Sequence, residues 1–249
     1  MLQIKSIDDV IASLDNIIVD AEKNNDTSGY FAALYRKVTI KVKEGIANNE
    51  FDDGPRMEKL DVIFASRYLD AYHDWKTNKP VTESWKKAFD ISSNYRPIVL
   101  QHLLMGMNAH INLDLGIAAA EVCKNKNING LQNDFNKINA VLSALVIEVQ
   151  NGLAAVWPRL KWILQKTKGV DDFLIDYSMK LSRDGAWKFA VSLANTPDEN
   201  INSSIAARDL SVAKKAELVT NPGFISSLIF GIIRIGEKGS VKQKIDNLK

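Results

Sequence analysis

Gln101-His102-Leu103-Leu104-Met105-Gly106-Met107-Asn108-Ala109-His110-Ile111-Asn112-Leu113-Asp114-Leu115-Gly116-Ile117-Ala118-Ala119-Ala120 is the stretch that decides the fold. Its apolar and small residues recur as a helix requires, and Asp114 is its only charged side chain. A helix that lacks a broad charged face belongs in a core. At about 100° per residue, with His102 as zero, Gly106, His110 and Asp114 follow at about 40°, 80° and 120°. Gln101, Asn108 and Asn112 form a second polar row on another side. Buried polar groups need partners, because an unpaired one costs roughly 1–3 kcal/mol. The sequence therefore places two polar rows inside an apolar core.

Two readings of these rows stand side by side. In the first, the side chains bond neighbouring helices and fix their packing. In the second, the small residues Gly106, Ala109 and Gly116 leave a pocket that the rows line. His110 and Asp114 are four apart and can touch. A carboxylate on an imidazole fixes its tautomer and raises its basicity. His102 stands two turns earlier, about 12 Å along the axis, too far to share one metal with His110 on a straight helix. The metalloprotease spacing His-Glu-x-x-His is absent.

Outward from this helix, apolar residues keep the helical period almost everywhere. Ser6 with Asp9 starts a first helix through Ile18, and Phe31 to Ile46 form a second. Asp52-Asp53-Gly54-Pro55 starts a third helix through Trp75, which Lys79-Pro80 breaks. Thr82 caps a short helix with Trp85 and Phe89. Pro97 opens the central helix. A long pattern from Leu131 to Lys166 carries Pro158, which should kink it. Another helix opens near Gly169 and Asp171 and runs through Leu193. Asn195 to Asn202 is expected as a loop, and Ser203 or Ser204 as the cap of a helix ending near Val219. The segment from Phe224 to Ile235 is an apolar helix expected to pack on its own domain. Lys238, Lys242 and Lys244 read as a solvated helix. No period-two alternation argues for a sheet. The expectation is an all-α fold: one domain over residues 1–249, with about nine to eleven helices around a buried central one.

Composition narrows the function classes. The 249 residues are enough for a substantial core, with 46% hydrophobic and 25% charged residues. A formal net charge of +2 gives no field that points to nucleic acid. The lone Cys123 forms no internal disulfide and reads as a small buried apolar residue near a helix end. No apolar run approaches the roughly twenty residues of a membrane span. The N-terminus does not read as a secretory signal, which makes the cytoplasm the expected compartment.

Candidate partners for the central helix come from the third one. Glu58 and Asp61 share a face with Ala65 and Tyr68. They read either as an acidic first turn or as a cation or acid–base pair. Arg67 falls within the apolar arc, so it should pair with a buried carboxylate, Asp61 or Asp114. Asp70 and Asp74 read as a solvated face. Arg183-Asp184 and Arg208-Asp209 read as salt-bridge formers. The tryptophans read as core rather than ligand platforms.

Glu58-x-x-Asp61, Arg67-Tyr68-Leu69-Asp70 and the Gln101–Leu115 stretch resemble a bacterial family of unknown function, defined by an Asn-Ala-His-Ile-Asn-x-Asp-Leu helix. The similarity extends through Asp134-Phe135, Trp187 and Arg208-Asp209. The resemblance implies a bacterial origin and a self-contained domain, and carries no activity. The reading of the residues is a helical enzyme acting on a moderately hydrophobic small molecule. Its catalytic residues are His110, Asp114 and His102, and Asn108, Asn112, Arg67 and Tyr68 contact substrate. A divalent metal is the open cofactor candidate, with Glu58, Asp61, His110 and Asp114 as ligands. Self-association is left open. The alternative is a non-catalytic helical binding or interaction protein whose buried His, Asn and Asp rows are structural.

Overall fold

The computed structural model describes residues 4–138, 179–221 and 223–249. The fold is all-α, and no strand occurs among the described residues. In chain order the helices are α1 (Ile7–Asn24), α2 (Gly29–Ala47), α3 (Gly54–Lys76), α4 (Glu83–Asp90), α5 (Val99–Ala109), α6 (Leu115–Val122), α7 (Met179–Ala194), α8 (Asp198–Thr220), α9 (Phe224–Gly236) and α10 (Val241–Asp246). Residues 132–138 are also helical. The expected course to Lys166, the kink at Pro158 and the helix start near Gly169 lie outside the described residues.

Local chemistry sets several of the ends. Ser6 and Asp9 form the expected capping box, and Asn25 closes α1 in the left-handed conformation at φ 53°. The Asp53 side chain accepts from the Arg56 amide, and Pro55 sits in the first turn of α3. Two expected caps are corrected. Thr82 occupies the N-cap of α4, but its side chain makes no capping bond. The buried Asp209 carboxylate from α8 does that work: it accepts from the Glu83 amide at 2.7 Å, and from the Ser84 amide and hydroxyl at 3.0 and 2.6 Å. A carboxylate at a helix N-terminus meets both open N–H groups and the positive end of the dipole. Helix α8 itself starts at Asp198 after Pro197, five residues before Ser203, with Asp198 and Glu199 in its first turn.

The central stretch is one helical rod from 99 to 122. Its α5 and α6 segments are joined by a π turn at His110–Asp114, where the Leu115 amide reaches back to the His110 carbonyl. Every residue of the rod except Leu100, Met107 and Glu121 is buried. Helices α2, α4 and α8 pack along α5, and α3 and α7 along α6. The main apolar cluster joins α1, α2, α3, α4 and α5, and a second joins the start of α3 to α6 and α7. Half-buried Phe64 and Met107 touch both.

The small residues of the rod do not open a wide pocket. A methyl group on Gly106 would lie 2.4 Å from the Phe31 ring, and one on Gly116 would lie 2.7 Å from the Phe189 ring. Aromatic rings press onto the bare backbone there, and that close approach is what the glycines serve. Cys123 is buried at the end of α6, as expected. Helix α9 buries Phe230 and Ile233 but exposes Phe224, Leu228, Ile232 and Ile235, so it packs on its own domain with one face only. Lys244 departs from the expected solvated row: it is buried and bonds Glu237 at 3.1 Å.

Candidate functional site

The site is organised by Asp114, which is 0% exposed. Arg67 Nε on α3 donates to its Oδ1 at 2.7 Å, and Trp85 Nε1 on α4 donates to Oδ2 at 2.8 Å. His110 Nδ1 stands 3.2 Å from the same Oδ2. The carboxylate, already accepting from Arg67 and Trp85, acts only as an acceptor here, so Nδ1 carries the proton and Nε2 keeps its lone pair. Of the two carboxylates open to Arg67 from the sequence, Asp114 is the partner. The pairing places the guanidinium charge beside the buried anion, the arrangement that offsets its desolvation.

His110 sits in a cage of rings. Phe64 stacks parallel to the imidazole, with centroids 3.6 Å apart. Tyr35 meets it edge-on at 4.5 Å, and Phe31, Trp85 and Tyr68 complete the surround at 5.8–6.1 Å. Burial lowers the His110 pKa below the ordinary histidine value, against the opposing pull of Asp114, so the ring is neutral at neutral pH. Its Nε2 is buried with no hydrogen-bond partner.

Three further buried oxygens around this cage are also unpartnered: Tyr35 Oη, Tyr68 Oη and Asp61 Oδ2. Burial, and then the charge of Glu58, push the Asp61 carboxyl up to about 7. Burial first, then Asp61 and Asp114, also hold the Tyr35 phenol well above its usual range. The core thus combines a proton acceptor at His110 with a Tyr35 phenol that keeps its proton at neutral pH and an Asp61 carboxyl that titrates near it.

Other residues singled out from the sequence lie elsewhere. His102 is not brought to His110. It packs edge-on against Tyr30 at 5.6 Å, and burial drives its pKa down to about 4. The amide row is engaged with α8 and α7. Gln101 Nε2 donates to the Val219 carbonyl at 2.8 Å, and Asn108 Nδ2 to the Val212 carbonyl at 2.9 Å. Asn112 Nδ2 donates to Asn108 Oδ1 at 3.2 Å and to Ser182 Oγ at 3.4 Å. These contacts tie the rod to α8 and α7.

The salt bridges expected of Arg208-Asp209 and Arg183-Asp184 do not form among the described residues. Arg208 Nε reaches into the π turn and donates to the Asn112 carbonyl at 2.8 Å, while Asp209 caps α4. Arg183 is buried with Nε and Nη1 unpartnered, and no ion pair joins it to Asp184 among the described residues.

Glu58, Asp61, His110 and Asp114 do not form a ligand set. Among the described residues, no three His, Cys, Asp or Glu side chains cluster to hold a metal ion. Glu58 stays half-exposed at the edge of α3, and Asp114 already accepts three bonds. The sequence reading missed Phe64, Tyr35 and Phe31 as site residues. The i, i+4 spacing of Phe31 and Tyr35 was visible as one helix face, but nothing in it names His110 as the neighbour.

A family model of a family of unknown function, DUF5995, matches residues 7–222. The chain belongs to that family. The matched segment contains the whole ring cage and Asp114, and stops before α9. No curated protein and no solved structure matches the chain.

Proposed function

We propose that the protein is a helical enzyme that acts on a moderately hydrophobic small molecule by general acid–base chemistry, with His110 as the base. The observation that carries this reading is the unpartnered Nε2 of a neutral imidazole whose Nδ1–H is held by a buried carboxylate. An oriented histidine with one free lone pair is equipped to take a proton from a reacting group. Asp114 is a positioning residue: it holds the tautomer, and Arg67 balances its charge. Asp61 and Tyr35 are the candidate proton donors. The π turn that carries both His110 and Asp114 supports the reading, since such turns gather at functional sites.

Access is the physical requirement of this proposal. Half-buried Phe64 stacks on the imidazole at 3.6 Å, and the proposal takes it as the ring that swings aside when substrate reaches Nε2. A bacterial, cytoplasmic setting fits the reading. No helix among the described residues is long and apolar enough to cross a membrane.

The second reading is a non-catalytic interaction protein whose polar rows hold helices in register. The amide bonds from Gln101 and Asn108 to α8 carbonyls favour it.

Diethyl pyrocarbonate separates the two readings, because it acylates neutral imidazoles that it can reach. The chain has three histidines, at 73, 102 and 110. With the native protein, peptide mass mapping is expected to show acylation of His110 as well as His73. Phe64→Ala should speed the reaction at His110 several-fold. Modification of His73 alone, with His110 protected in both proteins until urea unfolds them, would contradict the enzymatic reading.

A further inference from the structure

We propose that the small cavity beside Gly106 is a binding site for one buried water molecule, held by the hydroxyls of Tyr68 and Ser28 and the imidazole of His102. The cavity measures about 20 Å³ and lies where α2 begins, between α3, α4 and α5. Thr27, Ser28, Tyr68, His102 and Gly106 line it, with Phe31, Trp85, Ala88 and Phe89 as apolar wall. A water needs about 10–15 Å³ of such space and two to four polar partners. The volume admits that molecule and excludes an organic ligand.

The polar partners are present. Tyr68 is 0% exposed, and its Oη has no hydrogen-bond partner. Ser28 Oγ is buried without a well-formed hydrogen bond, beside the Asp26 carboxyl and the Tyr72 hydroxyl. A hydroxyl left so in a dry core costs roughly 1–3 kcal/mol, whereas a bridging water restores most of a direct bond. His102 adds one ring nitrogen that donates and one that accepts, because it is neutral above about pH 4. No carboxylate or cationic side chain lines the cavity, so an ion has no counter-charge there.

The water would tie Ser28 just before α2 to Tyr68 on α3 and His102 on α5. It gives His102 a positioning part in the core in place of the catalytic one that the sequence suggested. The inference is independent of any chemistry at His110.

Oxygen-17 magnetic relaxation dispersion of the full-length protein counts long-lived internal waters. The comparison is with the double variant Ser28→Ala, Tyr68→Phe, which leaves an apolar space that stays dry. The double variant is expected to lose one long-lived water, and its urea midpoint to fall. An unchanged dispersion amplitude overturns the proposal. So does a raised midpoint, the result for hydroxyls that were dry all along. If the double variant fails to fold, high-resolution diffraction from the parent protein decides. A density peak within hydrogen-bond distance of Tyr68 Oη supports the site, and a featureless cavity overturns it.

Discussion

Arg67→Met is expected to remove about 3–5 kcal/mol of stability, the usual consequence of stranding one partner of a buried ion pair. Asp114 is the fully buried partner, and the Arg67 side chain is 28% exposed. Losing the cation leaves a carboxylate inside the core with only the two neutral donors Trp85 Nε1 and His110 Nδ1. Asp114→Leu strands a guanidinium that can still turn toward water, but it also leaves the buried Trp85 Nε1 and His110 Nδ1 without their acceptor, so its effect should be comparable. The double variant Arg67→Met, Asp114→Leu should be destabilised by less than the sum of the two, because each single change leaves the other charge unmatched. Urea denaturation of the four proteins measures this directly. Additive losses below about 1 kcal/mol each would mean that the pair behaves like an exposed one.

The second large effect concerns pH. Two buried groups in the core bind protons with opposite consequences for stability. Asp61 has its carboxyl raised to about 7, chiefly by burial, above the ordinary 3.8. Its contribution is therefore fully present below about pH 4 and is lost as the pH rises through about 7. His102 has its imidazole lowered from 6.5 to about 4, first by burial. Its contribution is fully present above pH 6.5 and is lost as the pH falls toward about 4. His110 is lowered as well and acts in the same direction as His102.

At about 1.4 kcal/mol per pH unit of displacement, each of the two larger contributions is of order 3–5 kcal/mol. In the parent protein they oppose each other over the same window and flatten the profile. Asp61→Asn removes one arm. Relative to the parent, the variant should gain stability at pH 8 and lose that advantage on acidification to pH 4. His102→Phe should show the reverse trend relative to the parent. Urea midpoints at pH 4, 5.5, 7 and 8 report both. A variant profile parallel to that of the parent would show that the group titrates alike in folded and unfolded chains.

How much of this was readable in the chain depends on the range of the interaction. The helices, the capping box at Ser6 and the buried rod follow from spacing and composition within a few residues. So does the contact of His110 with Asp114, which needs only a spacing of four. The partner of Arg67 was narrowed to two carboxylates because an arginine in an apolar arc must find one. What failed was decided over long range. The cap of α4 comes from Asp209, more than 120 residues away, and the nearby Thr82 gave no sign of it. A glycine on a buried helix reads equally as the edge of a pocket or as the seat of an aromatic ring. Only the placement of Phe31 and Phe189 decides between them. The π turn depends on what packs around it, including the Arg208 guanidinium on the Asn112 carbonyl, so helical periodicity alone did not show it. The stack of Phe64 on His110 joins two helices, and no local pattern encodes it.

The central claim is that His110 is a neutral imidazole with its proton on Nδ1, facing Asp114, and a free lone pair on Nε2. Long-range proton–nitrogen correlation spectra of the histidine side chains read both nitrogens at once. The expected spectrum at pH 7 shows a protonated Nδ1 and an unprotonated Nε2 for His110. His110→Gln assigns the signals, and their titration midpoint should lie below the ordinary 6.5. A proton on Nε2, or a His110 that titrates like an ordinary histidine, would contradict both the geometry of the site and the base assigned to it.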